Sequence, residues 1–300
     1  MTTWTRRQVL IGAVAAAAGG SMERMRTRPI PSTGEQLPVI GMGTWRTFDV
    51  GESDDARKPL REVLRRLFEG GGRVIDSSPM YGRAEQVVGE LVDPGQRPFL
   101  ATKVWTSGRE EGIEQMRRSI RLMLPRGGRP FDLMQIHNLV DWRTHLPTLR
   151  SWKQAGTIRY WGITHYTESA FREMEQIVRT EKPDFVQLPY SVGAREAEKR
   201  LLPACAEQGV AVLVERPFEA GSLFRDRVKR PLPGWAAEID CSSWAQIFLK
   251  FIVGHPAVTC PIPATSNPEH MADDVRAGYG RLPDESMRKR IVAEVTGGSR

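Results

Sequence analysis

Phe131-Asp-Leu-Met-Gln-Ile-His137 is a short apolar run that closes on a polar side chain, and seven other stretches of the 300-residue chain have the same strand-like character. Downstream come Tyr160-Trp-Gly-Ile-Thr164, Phe185-Val-Gln187, Val210-Ala-Val-Leu-Val-Glu215 and Ala257-Val-Thr-Cys-Pro-Ile262. Upstream lie Pro98-Phe-Leu-Ala-Thr-Lys103, Arg73-Val-Ile-Asp76 and Val39-Ile-Gly-Met-Gly43. Near-continuous apolar runs rich in β-branched residues are strands of a sheet covered on both faces. Helical periodicity fills the gaps. Over 57–69, Leu60, Val63, Leu64 and Leu67 form one stripe that Gly70-Gly-Gly terminates. The same spacing predicts helices over 83–92, 110–124, 144–155, 168–179, 196–208, 242–253 and 268–277. Strand and helix units of this kind cross over right-handed. Eight of them close an α/β fold, a parallel (β/α)8 TIM barrel, which takes about 250 residues. Ser32-Thr-Gly-Glu35 reads as the turn of a short N-terminal hairpin capping the barrel floor. No linker or change of composition breaks residues 21–300, which are expected to form a single domain.

The net charge is +7, yet basic residues are dispersed among acidic ones and no base-reading motif accompanies them, which argues against nucleic-acid binding. Cys205, Cys241 and Cys260 are an odd number without metal-like spacing, so neither a disulfide framework nor a metal site is expected. Residues 1–20 read as a targeting segment outside the fold. Thr5-Arg6-Arg7 leads into an apolar run over 9–18 and then Gly19-Gly20, similar to a twin-arginine export signal and too short to span a bilayer. The expectation is export to the periplasm, and a cytoplasmic location if the signal does not function. Nothing in the sequence sets an oligomeric state.

In a closed parallel barrel the carboxyl ends of the strands converge on one rim, where active sites of this fold lie. Asp76, Lys103, His137, Thr164-His165, Gln187 and Glu215 all stand at such ends. The sequence thus implies a polar cluster at one barrel mouth. Asp76 is followed five positions later by Tyr81, and Lys103 and His137 end the next two strands.

In this order and at these strand ends, Asp76, Tyr81, Lys103 and His137 resemble the catalytic tetrad of the aldo-keto reductase family, and the resemblance extends over residues 28–294. It implies reduction of an aldehyde or ketone with a nicotinamide cofactor. The chemistry agrees. Hydride delivered to a carbonyl leaves an alkoxide that needs a proton, and a phenol with a pKa near 10 gives one up reluctantly at neutral pH. An ammonium from Lys103, held by Asp76, is expected to acidify Tyr81, while a neutral His137 orients the carbonyl oxygen. Two rival readings are a nicotinamide-binding barrel without catalysis, serving as a sensor or accessory subunit, and a hydrolase or isomerase working through carboxylates such as Glu215 and Asp76.

The resemblance also implies a cofactor seat. Thr164, His165 and Gln187 take the places that hold the nicotinamide, although an asparagine is usual where His165 stands. Glu215 occupies the position of an aromatic that commonly stacks on the ring. Arg216, Pro217 and Phe218, with Gly221 and Leu223, are similar to the loop that covers the pyrophosphate. Gly43 and Thr44 match the first-strand loop, and Trp45 and Trp105 would wall an apolar substrate pocket. Asn267 and Pro268 suit the cap and first position of a helix, whose N-terminus is a natural phosphate seat. There Ala264 and His270 replace the lysine and arginine that often clasp a 2′-phosphate. Thr265 keeps a hydroxyl, and Asp274, with Asp273 beside it, stands where an asparagine usually meets the adenine. NADP(H) is the expected cofactor, with NAD(H) as the alternative.

Overall fold

A computed structural model describes residues 24–93, 95–225 and 230–297; residues 1–20, where an export signal is expected, lie outside them. The chain begins with an antiparallel hairpin, β1 (Thr27–Pro29) and β2 (Gln36–Pro38), in which Thr27 faces Pro38. Eight parallel strands follow: β3 (Met42–Gly43), β4 (Val74–Asp76), β5 (Phe99–Val104), β6 (Phe131–His137), β7 (Ile158–Thr164), β8 (Phe185–Pro189), β9 (Ala211–Glu215) and β10 (Cys260–Pro261). They pair in chain order from β3 to β10. The bridge between Gly43 and Ala264, with bonds from the amides of Gly41 and Gly43 to the carbonyls of Pro261 and Pro263, brings β10 against β3 and closes the cylinder.

Helices α1 (Asp54–Glu69), α2 (Ala84–Leu91), α3 (Arg109–Met123), α4 (Trp142–Gln154), α5 (Phe171–Glu181), α6 (Leu201–Gln208), α7 (Trp244–Val253) and α8 (Pro268–Arg276) surround it, and α9 (Glu285–Thr296) follows. The barrel expected from the sequence is therefore present, floor hairpin included. Its first and last strands are shorter than the apolar runs over 39–43 and 257–262. Pro261 and Pro263 have no N–H to donate, so the ladder there is interrupted. α1 starts three residues earlier than its periodicity suggests, because Ser53 caps it by accepting from the Ala56 amide and Asp54 and Asp55 occupy its first turn. The stretches 168–179 and 196–208 each open with a 3-10 turn, Glu168–Ala170 and Glu196–Glu198, before α5 and α6 begin.

Two apolar layers hold the fold. Outside the sheet, Ile75, Leu100, Met134, Ile136, Ile163, Val186, Val212 and Val214 pack against the helices. Inside, Val74, Phe99, Ala101, Leu133, Tyr160, Phe185, Ala211 and Leu213 fill the lower barrel, with Ile30 and Leu37 of the hairpin as a stopper. Strand side chains alternate between faces. The inward set therefore continues upward from Val74 to Asp76, from Ala101 to Lys103, and from Leu133 through Gln135 to His137. It likewise runs from Tyr160 to Thr164, from Phe185 to Gln187, and from Leu213 to Glu215. Every polar strand end named from the sequence except His165, which follows β7, shares this inward parity.

Candidate active site

Lys103 lies at the centre of the mouth, fully buried, and donates to Asp76 Oδ2 at 2.6 Å and to the Ser77 carbonyl at 2.7 Å. Asp76 Oδ1 accepts from Gln135 Nε2 at 3.0 Å and Gln187 Nε2 at 2.9 Å, and the Thr164 hydroxyl donates to Gln187 Oε1 at 3.2 Å. Asp76 thus receives three side-chain hydrogen bonds from three different strands, which fixes both the carboxylate and the ammonium it holds. Thr44 adds a support from β3's end, its hydroxyl donating to the Asp76 carbonyl and Ser77 Oγ.

Lys103 Nζ sits 5.2 Å from the centre of the Tyr81 ring. Burial lowers the attraction of Lys103 for its proton, but Asp76, Tyr81 and Glu215 together outweigh that, so its pKa rises and it stays an ammonium. Tyr81 departs from the expectation. Burial pushes its phenol up to about 12, with Asp76 and Glu215 adding to the effect and Lys103 opposing it. In the free protein, desolvation of a phenolate outweighs the neighbouring ammonium, and Tyr81 keeps its proton. The turn that presents Tyr81 depends on Gly82, which has φ +60°; a Cβ there would strike the Asp49 carboxylate, which accepts from the Arg83 amide.

His137 stands edge-on to Tyr81, ring centres 6.0 Å apart, and 6.3 Å from Trp105. Burial first, then Lys103 and His165, push its pKa down to about 2, so the imidazole is neutral. Its Nδ1 lies 2.9 Å from Ser78 Oγ, which accepts from the Met80 amide. The Ser78 hydroxyl proton is then free to point at Nδ1, leaving Nε2–H as a donor. Nothing in the sequence reading singles out Ser78, Ser77 or Gln135. Gln135 carried a usable signal, since it lies two residues before His137 on the same strand face.

The proposed cofactor positions fall on the same rim. His165 Nδ1 accepts from the Thr167 amide, and its ring stacks on Tyr166 with centres 5.6 Å apart. After β9, Arg216, Glu219 and Ala220 adopt left-handed backbone with φ of 52°, 51° and 55°, and Gly221 has φ 90°. The Glu219 carboxylate ties this strained loop down, accepting from Ser191 Oγ at 2.5 Å and Ser222 Oγ at 3.2 Å. Pro217 and Leu223 are buried and Phe218 packs on Phe224 and Phe248, which leaves Arg216, Ala220 and Gly221 as the loop's exposed face.

At α8, Asn267 caps by accepting from the Glu269 amide, with Thr265 bracing Asn267; Ala264 and His270 are exposed. Asp273 is committed to Ser243 and Gln246, and Asp274 is buried with its carboxyl pushed well upward by burial and by Asp273. Gly43 lies where a Cβ would come within 3.1 Å of the Ile262 carbonyl, so its importance is closure of the barrel. Large apolar side chains left exposed are Trp45, Met80, Trp105 and Tyr166, and all four rise from loops around this mouth. Among the described residues no cluster of His, Cys, Asp and Glu is arranged to hold a metal, and no helix is long and apolar enough to cross a membrane.

The set fits a nicotinamide. Oε1 of Glu215 and Oδ1 of Asn138, beside His137, are shut off from solvent without hydrogen-bond partners. These are orphaned acceptors around a mouth built to hold an ammonium, a phenol and a neutral imidazole together.

Comparison with known proteins places the fold and the family. The methylglyoxal reductase YeaE of Escherichia coli is 29% identical over 256 residues, covering 82% of this chain and 88% of the relative. An NADH-specific methylglyoxal reductase of the same organism is 25% identical over 71% of this chain and 73% of its own length. An aldo-keto reductase from Klebsiella pneumoniae, solved in complex with NADPH, superposes with a TM-score of 0.76 at 23% identity, over 92% of this chain and 97% of that one. The model of the Aldo/keto reductase family matches residues 39–291; the chain belongs to that family and is an oxidoreductase of its kind.

Proposed function

We propose that this barrel reduces an aldehyde or ketone to an alcohol, with NADP(H) as cofactor and NAD(H) as the alternative. The observation that carries the reading is the fully buried Lys103, clamped between Asp76 and the Ser77 carbonyl beneath a protonated Tyr81. A nicotinamide supplies the hydride when bound, since no side chain can. Tyr81 gives its proton to the oxygen that becomes the hydroxyl. Lys103 stabilises the phenolate that is left, and Asp76 holds Lys103 in place through its bonds to Gln135 and Gln187. His137, neutral and with Ser78 on Nδ1, offers Nε2–H to the carbonyl oxygen and sets its direction. Trp45 and Trp105 flank the opening and suit an apolar portion of the substrate. Support for a carbonyl substrate comes from the two relatives named as methylglyoxal reductases, one of them NADH-specific, and support for NADP(H) from the similarly folded NADPH complex.

Thr164, His165 and Gln187 would hold the nicotinamide, the loop from Arg216 to Leu223 the pyrophosphate, and the region from Ala264 to Asp274 the adenosine end. The test is oxidation of NADPH, followed by absorbance, with a panel of aldehydes. Tyr81→Phe is expected to lower kcat by about 10²-fold or more while still binding NADPH. Full activity in that variant, or an inactive wild type that binds NADPH, would remove Tyr81 as the acid or make the barrel a binding module.

We further propose that residues 1–20 direct export by the twin-arginine route, on the strength of Arg6-Arg7 followed by a short apolar run.

A further inference from the structure

Glu215 is the strand-end residue that the reduction scheme leaves without a task. It closes β9 on the inward face above Ala211 and Leu213, and its Oε1 is sealed from solvent with no hydrogen-bond partner. An unpaired buried carboxyl oxygen is costly to keep, so a binding partner for it is expected. The charged and titratable groups whose fields reach it are Lys103 and Asp76 from β5 and β4, Tyr81 from the loop after β4, and Arg216 beside it. Lys103 already donates to Asp76 and the Ser77 carbonyl. The mouth therefore holds a carboxyl within electrostatic reach of the proposed proton donor.

Given the reduction proposed above, the space beside Glu215 is constrained. A carbonyl oxygen held by Tyr81 and His137 puts its carbon at the mouth, and the hydride donor must approach that carbon to roughly 3–3.5 Å. The nicotinamide ring then lies at the same mouth where Glu215 ends β9 within electrostatic reach of Tyr81. That ring is neutral when reduced and carries a positive charge when oxidised. We propose that Glu215 is a charge-discriminating cofactor contact, its carboxylate favouring the oxidised nicotinamide over the reduced one and so setting which form the barrel holds more tightly.

Ionisation of Glu215 makes the discrimination depend on pH. Burial pushes its carboxyl up to about 7, with Asp76 adding to the shift and Lys103 and Arg216 opposing it. Below that value the group is neutral and the two cofactor forms look alike to it; above it the carboxylate attracts only the oxidised ring. Lys103, Tyr81 and His137 keep their charge states across neutrality. Lys103 is raised and stays charged, Tyr81 sits at about 12, His137 at about 2, and burial lowers His165. By linkage, a ligand that prefers the carboxylate must also displace its proton.

The experiment is titration of NADP+ and of NADPH onto the wild-type protein and Glu215→Gln at pH 5.5 and 8.5, read by quenching of tryptophan fluorescence. Taking the ratio of the two dissociation constants cancels the 2′-phosphate, which titrates near pH 6 but is common to both forms. For the wild type, Kd(NADP+)/Kd(NADPH) is expected to fall about tenfold between the two pH values. In Glu215→Gln the ratio is expected to be flat, and Glu215→Asp, which keeps the carboxylate, should retain the slope. Calorimetry of NADP+ and of NADPH binding to the wild type at pH 7, in two buffers of different ionisation enthalpy, should show more proton release with NADP+ than with NADPH, whether or not the variants fold. A flat wild-type ratio, or a slope that survives in Glu215→Gln, overturns the assignment. Failure of the wild type to bind either form overturns the nicotinamide reading itself and this inference with it.

Discussion

Tyr81 is protonated in the free protein because a buried phenolate costs more than a neighbouring ammonium returns. That is a useful resting state for a group whose task is to give a proton away, provided His137 presents the correct nitrogen to the same oxygen. Ser78 decides that tautomer through its 2.9 Å contact with Nδ1. Ser78→Ala removes the contact and lets the ring proton move to Nδ1. The expected result is a fall in kcat/KM of roughly tenfold, as for one lost hydrogen bond of this kind, with the NADPH dissociation constant unchanged. Steady-state kinetics beside a cofactor titration check both parts. The strand ends Asp76, Lys103, His137 and Gln187 are legible in the sequence because each closes an apolar run, and the carboxyl ends of parallel barrel strands meet at one rim. Ser78 is not, since a serine two residues past a strand looks like turn chemistry until His137, 59 positions away, is seen beside it.

Among the elements, periodicity located α1 to α8 to within a few residues, while caps and prolines decided where each one starts and stops. α9 was missed because it lies outside the strand-helix repeat. Its stripe is thin, with Ile291 and Val295 as its buried residues, and its start is marked by Asp284 accepting from the Met287 amide. Helix contacts made by backbone are equally hard to read in advance. Gly89 in α2 is pressed against the Leu122 carbonyl and Met123 Cα of α3, so a Cβ there has no room. Gly89→Ala should destabilise the fold by roughly 1–3 kcal/mol, although alanine is the better helix former, because the two helices must separate to admit it. Chemical denaturation measures the loss, and a variant as stable as the wild type would show that the helices can shift apart freely.

At the scale of the whole molecule, the proposed site draws its residues from every part of the chain, so it exists only once folding is complete. A twin-arginine leader suits such a protein, since that route is expected to carry cargo already folded with its cofactor. Residues 1–20 fused to a folded fluorescent reporter should deliver it to the periplasm of a bacterium. Lysine at both Arg6 and Arg7 should leave the reporter in the cytoplasm, as fractionation would show; a wild-type fusion retained in the cytoplasm would rule the leader out.

The hairpin that carries Ile30 and Leu37 has a further bearing on turnover. With one end of the cylinder plugged, traffic to the proposed site is confined to the other: cofactor, substrate and product would all pass through a single doorway ringed by Trp45, Met80, Trp105 and Tyr166. Whatever seats deepest must enter first and depart last, and the queue at that doorway, as much as hydride transfer, bounds how fast the enzyme can cycle.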